Sequence, residues 1–345
     1  MLSGKVFGKV SRIAYIVIPL LILSVNKAHC IYDLEINADE ILEYSYPIVL
    51  LHGISSEKSE LTSVANWLSD NLPNQIYNIE IGNGKLDSMF KTMDWQLNEL
   101  CYEIYNIQEL ANGFHFIGMS QGGLLARGYV ERCNKYPVIN LITWVSPHGG
   151  VYGFDEKYFE FNNVYKPFYQ NIYSFSGYWK DPYRYNMYLA GASYLPYLNN
   201  EKYNKHSTGS YPEYPVMYDI LFDYEYMENN YDYQLIDWFP EQNKENMLSL
   251  KNFVMIWSPN DDVLSPPESG KFSFYKIMES ILEYEEPLTV LDLFDSEQFI
   301  EDWIGLRTLW KSNRLHILAT NCTHSGHKTA ECFPQLEELT FPFLV

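Results

Sequence analysis

At 345 residues, with 47% hydrophobic and 20% charged side chains, the chain has the composition of a globular protein and not of a disordered one. A formal net charge of −20 leaves no basic surface to neutralise phosphates, which excludes nucleic acid as a partner and disfavours anionic membranes. The same carboxylates suit an acidic compartment, where they titrate towards neutrality and repel one another less.

Lys5, Lys9 and Arg12 precede the apolar run IAYIVIPLLILSV, residues 13–25, which is followed by NKAHC. A basic start, an apolar centre and a small-residue exit describe a secretory signal peptide, expected to be removed near Cys30. The run is shorter than the roughly 20 residues that span a bilayer, so no membrane anchor is expected after removal. The mature chain, 31–345, is expected to enter the secretory pathway and to reach the lysosome or the exterior.

Buried-strand and helical patterns then alternate. YPIVLL (46–51) reads as a strand ending in His52-Gly53, SVANWLSDNL (63–72) as a helix and IYNIEIG (76–82) as the next strand. MDWQLNELCYEIYNI (93–107) places apolar residues at helical spacing. FHFIG (114–118) is a strand, GGLLARGYVERC (122–133) a helix and INLITWVS (139–146) a strand. Between 151 and 245 the alternation gives way to a stretch rich in Tyr, Phe, Trp, Pro and Asn, read as an insertion of short helices and loops. Strands are expected again at 251–258 and 314–320, with a helix in the tail. The pattern predicts a single α/β domain: a mostly parallel sheet, helices on both faces and an aromatic-rich insertion at 151–245. The chain holds 30 tyrosines, and this amphipathic ring suits the lining of a groove, although a packed insertion would use it equally well.

GMSQG (118–122) matches G-x-S-x-G between an apolar strand and a helix, the setting in which Ser120 becomes a nucleophile and not merely an N-cap. The sharp turn lifts the hydroxyl above the sheet, and side chains at the flanking glycines would collide with neighbouring elements. Serine needs a base and an orienting acid, found in the order Ser, Asp or Glu, His, each beyond a strand. Asp261 and Asp262 follow the strand at 251–258. His324 and His327 follow the strand at 314–320, and the shorter spacing favours His324. The remaining histidines lie before the acid, inside strands or in the insertion. An oxyanion hole is expected from the backbone N–H groups of Gln121 and Ile54.

With no CxxC pair and no HExxH, neither a metal nor a cofactor is expected. Removal of Cys30 leaves four cysteines in a secreted chain, hence two disulfides; of the three possible pairings, Cys101–Cys133 and Cys322–Cys332 are expected.

The set VLLHGI, GMSQGGLLARGYVERC, LITWVSPHGGVYG, YWKDPYRYNMYL, WSPNDDVLSPPESGKFSFY, DWIGLRTLW and LATNCTH resembles the palmitoyl-protein thioesterases, lysosomal α/β-hydrolases that remove long acyl groups from cysteine. The likeness runs from about residue 46 to the C-terminus. It implies Ser120 as nucleophile, His324 as base and Asp261 as acid, since the family's acid stands five residues before the proline that opens PPES, here Pro266. It supports the Cys101–Cys133 pair, which flanks the nucleophile helix. It implies a fatty acyl thioester as substrate, carried on a protein, a peptide or coenzyme A. YWKDP, VSPHGGVYG and EYEEP are similar to the second branch of the family, which tolerates shorter chains. The single sequon, Asn321-Cys322-Thr323, holds an expected disulfide cysteine and is expected to stay unmodified. A secreted lipase or carboxylesterase acting on oxygen esters, and a lipid-binding protein on the same frame, are the alternative readings.

Overall fold

The computed structural model describes residues 45–153, 163–205, 239–278 and 287–345. The expected signal segment 1–30, His206, residues 206–238 of the expected insertion and most of EYEEP lie outside them.

Eight strands are present among the described residues: β1 Ile48–Leu51, β2 Ile76–Ile79, β3 Phe114–Met119, β4 Val138–Trp144, β5 Asn252–Trp257, β6 Phe274–Tyr275, β7 Val290–Leu291 and β8 Leu315–Ala319. Six form one parallel sheet in the order β2-β1-β3-β4-β5-β8, while β6 and β7 pair antiparallel beside it. This is the mostly parallel sheet expected from the alternating pattern, and the α/β-hydrolase fold that the family resemblance implies. Each strand of the six-stranded sheet falls within two residues of its expected bounds except β2, which stops at Ile79, while β6 and β7 were not expected.

The apolar runs are continuous because both faces of the sheet are covered. Successive side chains of β1 point to opposite sides: Val49 and Leu51 join one core cluster, Ile48 and Leu50 the other. Helix α1, Thr62–Asn71, buries Val64 and Leu68 on one side. Helix α3, Met93–Tyr105, covers the other side through Met93, Leu97, Leu100 and Ile104, and begins where the Thr92 hydroxyl accepts from the Trp95 N–H at 3.1 Å. Between them lies a short helix that periodicity does not announce, α2, Lys85–Phe90. Helix α4, Gln121–Gly128, is buried along its whole length and passes into a wider turn over Tyr129–Cys133. Helix α5, Pro240–Ser249, leads back into β5, and α6, Leu306–Lys311, precedes β8. The expected tail helix is α7, Phe333–Thr340.

The stretches that carry the family resemblance meet in space. Arg127 of α4 is fully buried, donates to Asn199 Oδ1 at 2.7 Å and lies 4.8 Å over the Phe272 ring of the PPESGKF segment. The same ring stacks on His148 of VSPHGG at 4.8 Å. Many aromatics after residue 163 are core: Trp179, Tyr188 and Tyr194 are almost wholly buried, so these three pack the structure and do not line an open groove. Among the described residues no helix is long and apolar enough to cross a membrane.

Candidate active site

Ser120 follows β3 directly. Its N–H donates to the Trp144 carbonyl at 2.8 Å, so the ladder with β4 runs up to the turn and then stops. The backbone at Ser120 has φ 55 and ψ −128, a conformation that costs a non-glycine residue about 1–3 kcal/mol and persists only when its surroundings impose it. The flanking glycines show what imposes it. A methyl on Gly118 would stand 2.5 Å from the Gly122 carbonyl oxygen, and one on Gly122 would strike the carbonyl oxygens of Leu51 and His52. A methyl on Gly53 would come within 2.9 Å of Ser120 Cβ. The helix, the turn and the loop after β1 are thus packed to backbone contact, as the sequence pattern requires.

The acid and the imidazole come together from loops at the carboxyl ends of β5 and β8. His324 Nδ1 lies 2.8 Å from Asp261 Oδ2, and both residues are buried. The other oxygen of Asp261 accepts from the Val263 and Leu264 N–H groups at 2.9 and 2.8 Å, which fixes the carboxylate in its turn. Asp262 does something different: its Oδ1 accepts the backbone N–H of His324 at 3.1 Å. The neighbouring aspartates therefore hold the ring and the main chain of one histidine. His327 is fully buried, with Nε2 on Thr320 Oγ1 at 2.8 Å and Nδ1 on the Thr323 carbonyl at 2.9 Å. Both its nitrogens are engaged, and burial holds its pKa below the usual histidine value. Of the two candidate histidines, only His324 faces a carboxylate. The Ser120 hydroxyl makes no hydrogen bond with His324 or any other described residue.

The backbone N–H groups of Ile54 and Gln121 are both without hydrogen-bond partners among the described residues. Gln121 opens α4, whose N-terminal end carries partial positive charge. In the loop before Ile54, His52 Nδ1 meets the Gly53 carbonyl at 2.9 Å. His52 Nε2 lies 2.7 Å from Glu80 Oε1, at an angle outside regular hydrogen bonding.

Two disulfides brace this arrangement. Cys101–Cys133 joins α3 to the turn that ends α4, and Cys322–Cys332 closes the loop that carries His324. Both are the expected pairs. Among the described residues no group of three or more His, Cys, Asp or Glu is placed to hold a metal. Sequence reasoning did not find the buried side chains around Gln121, namely Ser88, Gln96, Ser174 and Tyr178. Tyr178 opens the YWKDP stretch, but Ser88, Gln96 and Ser174 belong to no recognisable motif, and the four meet only through the fold.

A family model described as palmitoyl protein thioesterase matches residues 47–324. The chain belongs to that family. Palmitoyl-protein thioesterase 3 of Dictyostelium discoideum is 34% identical over 311 residues, 86% of this chain and 92% of that protein. The lysosomal thioesterase PPT2 homolog of Drosophila melanogaster is 28% identical over 86% of this chain and 91% of its own. Human lysosomal thioesterase PPT2 is 24% identical, covering 76% of each chain. Among solved structures, an extracellular α/β-hydrolase from a Paenibacillus species aligns with a TM-score of 0.41 at 13% identity, over 86% of this chain and 98% of that one. The family match spans every motif of the site, from the strand before His52 to His324.

Proposed function

We propose that this thioesterase hydrolyses long-chain fatty acyl thioesters, on S-acylated proteins or peptides or on acyl-coenzyme A, through Ser120, His324 and Asp261. The Asp261 carboxylate receives the Nδ1–H of His324, which leaves Nε2 as the base. That nitrogen takes the proton of Ser120 as its oxygen attacks the thioester carbonyl; catalytic hydrogen bonds of this kind commonly tighten only once substrate is bound. The Ile54 and Gln121 N–H groups stabilise the resulting oxyanion. Collapse expels a thiolate, a better leaving group than an alkoxide or amide nitrogen; it takes the proton from His324 Nε2 and leaves an acyl-serine ester beside a neutral imidazole. Water, deprotonated by the same imidazole, then attacks that ester and releases the fatty acid.

The observation that carries this reading is the 2.8 Å pairing of His324 Nδ1 with a buried carboxylate whose other oxygen is already committed to two backbone N–H groups. Ser120→Ala should abolish hydrolysis of a palmitoyl thioester while the melting temperature stays within a few degrees of wild type. Unchanged turnover by that variant would end the proposal.

Relatives named as lysosomal thioesterases support delivery to the lysosome after removal of residues 1–30. N-terminal sequencing of the secreted or lysosomal protein should begin near residue 31; a mature chain that retains Met1 would contradict this.

A further inference from the structure

We propose that Tyr178, Gln96 and the main chain at Ser88 act as positioning groups that hold the Gln121 N–H in line with the developing oxyanion. The inference rests on the assignment above of Gln121 to the oxyanion hole, and extends it to groups from three other elements.

Gln121 opens a helix next to the site, where a glutamine side chain would ordinarily reach solvent. Here it is 1% exposed, and both N–H groups and the oxygen of its amide are engaged. Nε2 donates to the Ser88 carbonyl at 2.8 Å and to Gln96 Oε1 at 3.0 Å, while Oε1 accepts from the Tyr178 hydroxyl at 3.0 Å. Gln96 is equally committed: its Nε2 donates to the carbonyls of Ser88 and Lys91 at 3.2 and 2.9 Å. The Ser174 hydroxyl also donates to the Ser88 carbonyl, at 2.8 Å. Ser88, Gln96, Ser174 and Tyr178 are all buried.

The donors and acceptors allow only one arrangement. Two main-chain carbonyls face the Gln96 nitrogen, so its oxygen must face Gln121. That oxygen and the Ser88 carbonyl both demand the Gln121 nitrogen, so Oε1 of Gln121 must face Tyr178. Burial keeps the Tyr178 hydroxyl protonated by pushing its pKa up, so it remains a donor at any working pH. A fully satisfied buried network of this kind admits no alternative rotamer without orphaning a polar group.

The mechanical consequence concerns the peptide between Ser120 and Gln121. The strained backbone at Ser120 would relax by rotating that peptide, and the rotation would swing the Gln121 N–H away from the acyl oxygen. Clamping the Gln121 side chain at three points opposes the rotation. α2 supplies the Ser88 carbonyl, α3 supplies Gln96, and the 3-10 segment Ser174–Tyr178 supplies two hydroxyls, so the residues after 163 reach the oxyanion donor directly. The clamp serves the transition state because the thioester carbonyl gains its full charge only there.

The test is Tyr178→Phe, which removes one hydroxyl and little volume. Rates are taken per active site titrated with a fluorophosphonate, so that any unfolded fraction drops out. Loss of an oxyanion donor costs about 10²–10³ in kcat, and loosening one should cost about tenfold, with KM for a palmitoyl thioester within about twofold of wild type. An acyl trifluoromethyl ketone, which presents an oxyanion when bound, should weaken by the same factor as kcat. Ser174→Ala, which removes a second hydroxyl at less risk to folding, should lower kcat severalfold in the same pattern and reads the clamp even if the first variant does not fold. An unchanged kcat in the folded variant, or a change confined to KM, overturns the proposal. If Ser120→Ala is inactive while Tyr178→Phe and Ser174→Ala turn over normally, the positioning role fails and the triad stands.

Discussion

The two neighbouring aspartates give the sharpest test of the site, because the structure assigns them different work on one histidine. Consider Asp261→Asn. One side of the residue faces the Val263 and Leu264 N–H groups, and the other faces His324 Nδ1. An asparagine must turn its oxygen towards the two donors, because the reverse orientation sets an NH2 against two N–H groups and forfeits two bonds worth roughly 1 kcal/mol each. The preference is therefore about 2 kcal/mol, or about thirtyfold. The NH2 then points at Nδ1, which must become an acceptor, and the ring proton moves to Nε2, where it blocks uptake of the serine proton. Loss of the carboxylate charge opposite the imidazolium adds to this, and the whole exchange in a Ser-His-Asp site costs about 10⁴-fold in kcat. Asp262→Asn keeps an oxygen for the His324 backbone N–H, and with one bond of roughly 1 kcal/mol at stake its kcat should stay within about fivefold of wild type. The assay is palmitoyl-thioester hydrolysis per titrated site, with thermal unfolding as the control for fold. A retained rate in Asp261→Asn, or an equal loss in Asp262→Asn, would refute the reasoning.

The disulfides and the buried histidines give further expectations. Closing the 10-residue span of Cys322–Cys332 should contribute roughly 2–3 kcal/mol, and the 32-residue span of Cys101–Cys133 roughly 3–4 kcal/mol, by loop entropy. Replacing Cys322 and Cys332 by serine should lower the urea midpoint and also kcat, since that loop carries His324; an unaltered unfolding curve would contradict it. His115 is buried in β3, and burial, with a smaller push from the Lys251 charge, lowers its pKa from 6.5 to about 4. Between those values the unfolded chain binds the proton and the native state does not, so this residue's share of stability is present above pH 6.5 and is lost as pH falls. The loss should reach about 2 kcal/mol by pH 5. Urea unfolding at pH 7 and pH 5 should show it, and His115→Gln, which can still accept from Asn140, should reduce the difference by that amount; an equal difference in both proteins would argue against it.

Much of the frame could be read from the chain because its signals are local. An apolar run buried on both faces, a glycine forced by a passing carbonyl and an amphipathic period each leave a mark within a few residues, as at Ile48–Leu51, Gly122 and Met93–Tyr105. The choice of His324 over His327 was partly visible in its distance from β8. The choice of Asp261 over Asp262 was not, since adjacent loop aspartates look alike until their hydrogen bonds are known, and family resemblance decided it. Helix α2 escaped notice because it has six residues and only Ser88 is buried. The clamp on Gln121 was invisible for a different reason: its members stand at positions 88, 96, 121, 174 and 178 and share no spacing, only a place in the fold. Nor did composition distinguish a groove from a core, and rings such as Trp179 and Tyr194 proved to be packing.

The most direct measurement is to mix the protein with a palmitoyl thioester, quench in acid within the first turnovers and map the acyl group by mass spectrometry. The proposed mechanism predicts a palmitoyl ester on the peptide containing Ser120, absent from Ser120→Ala and accumulating slowly if at all in His324→Ala. Steady release of fatty acid with no acyl group on Ser120, or with the label on another residue, would contradict it.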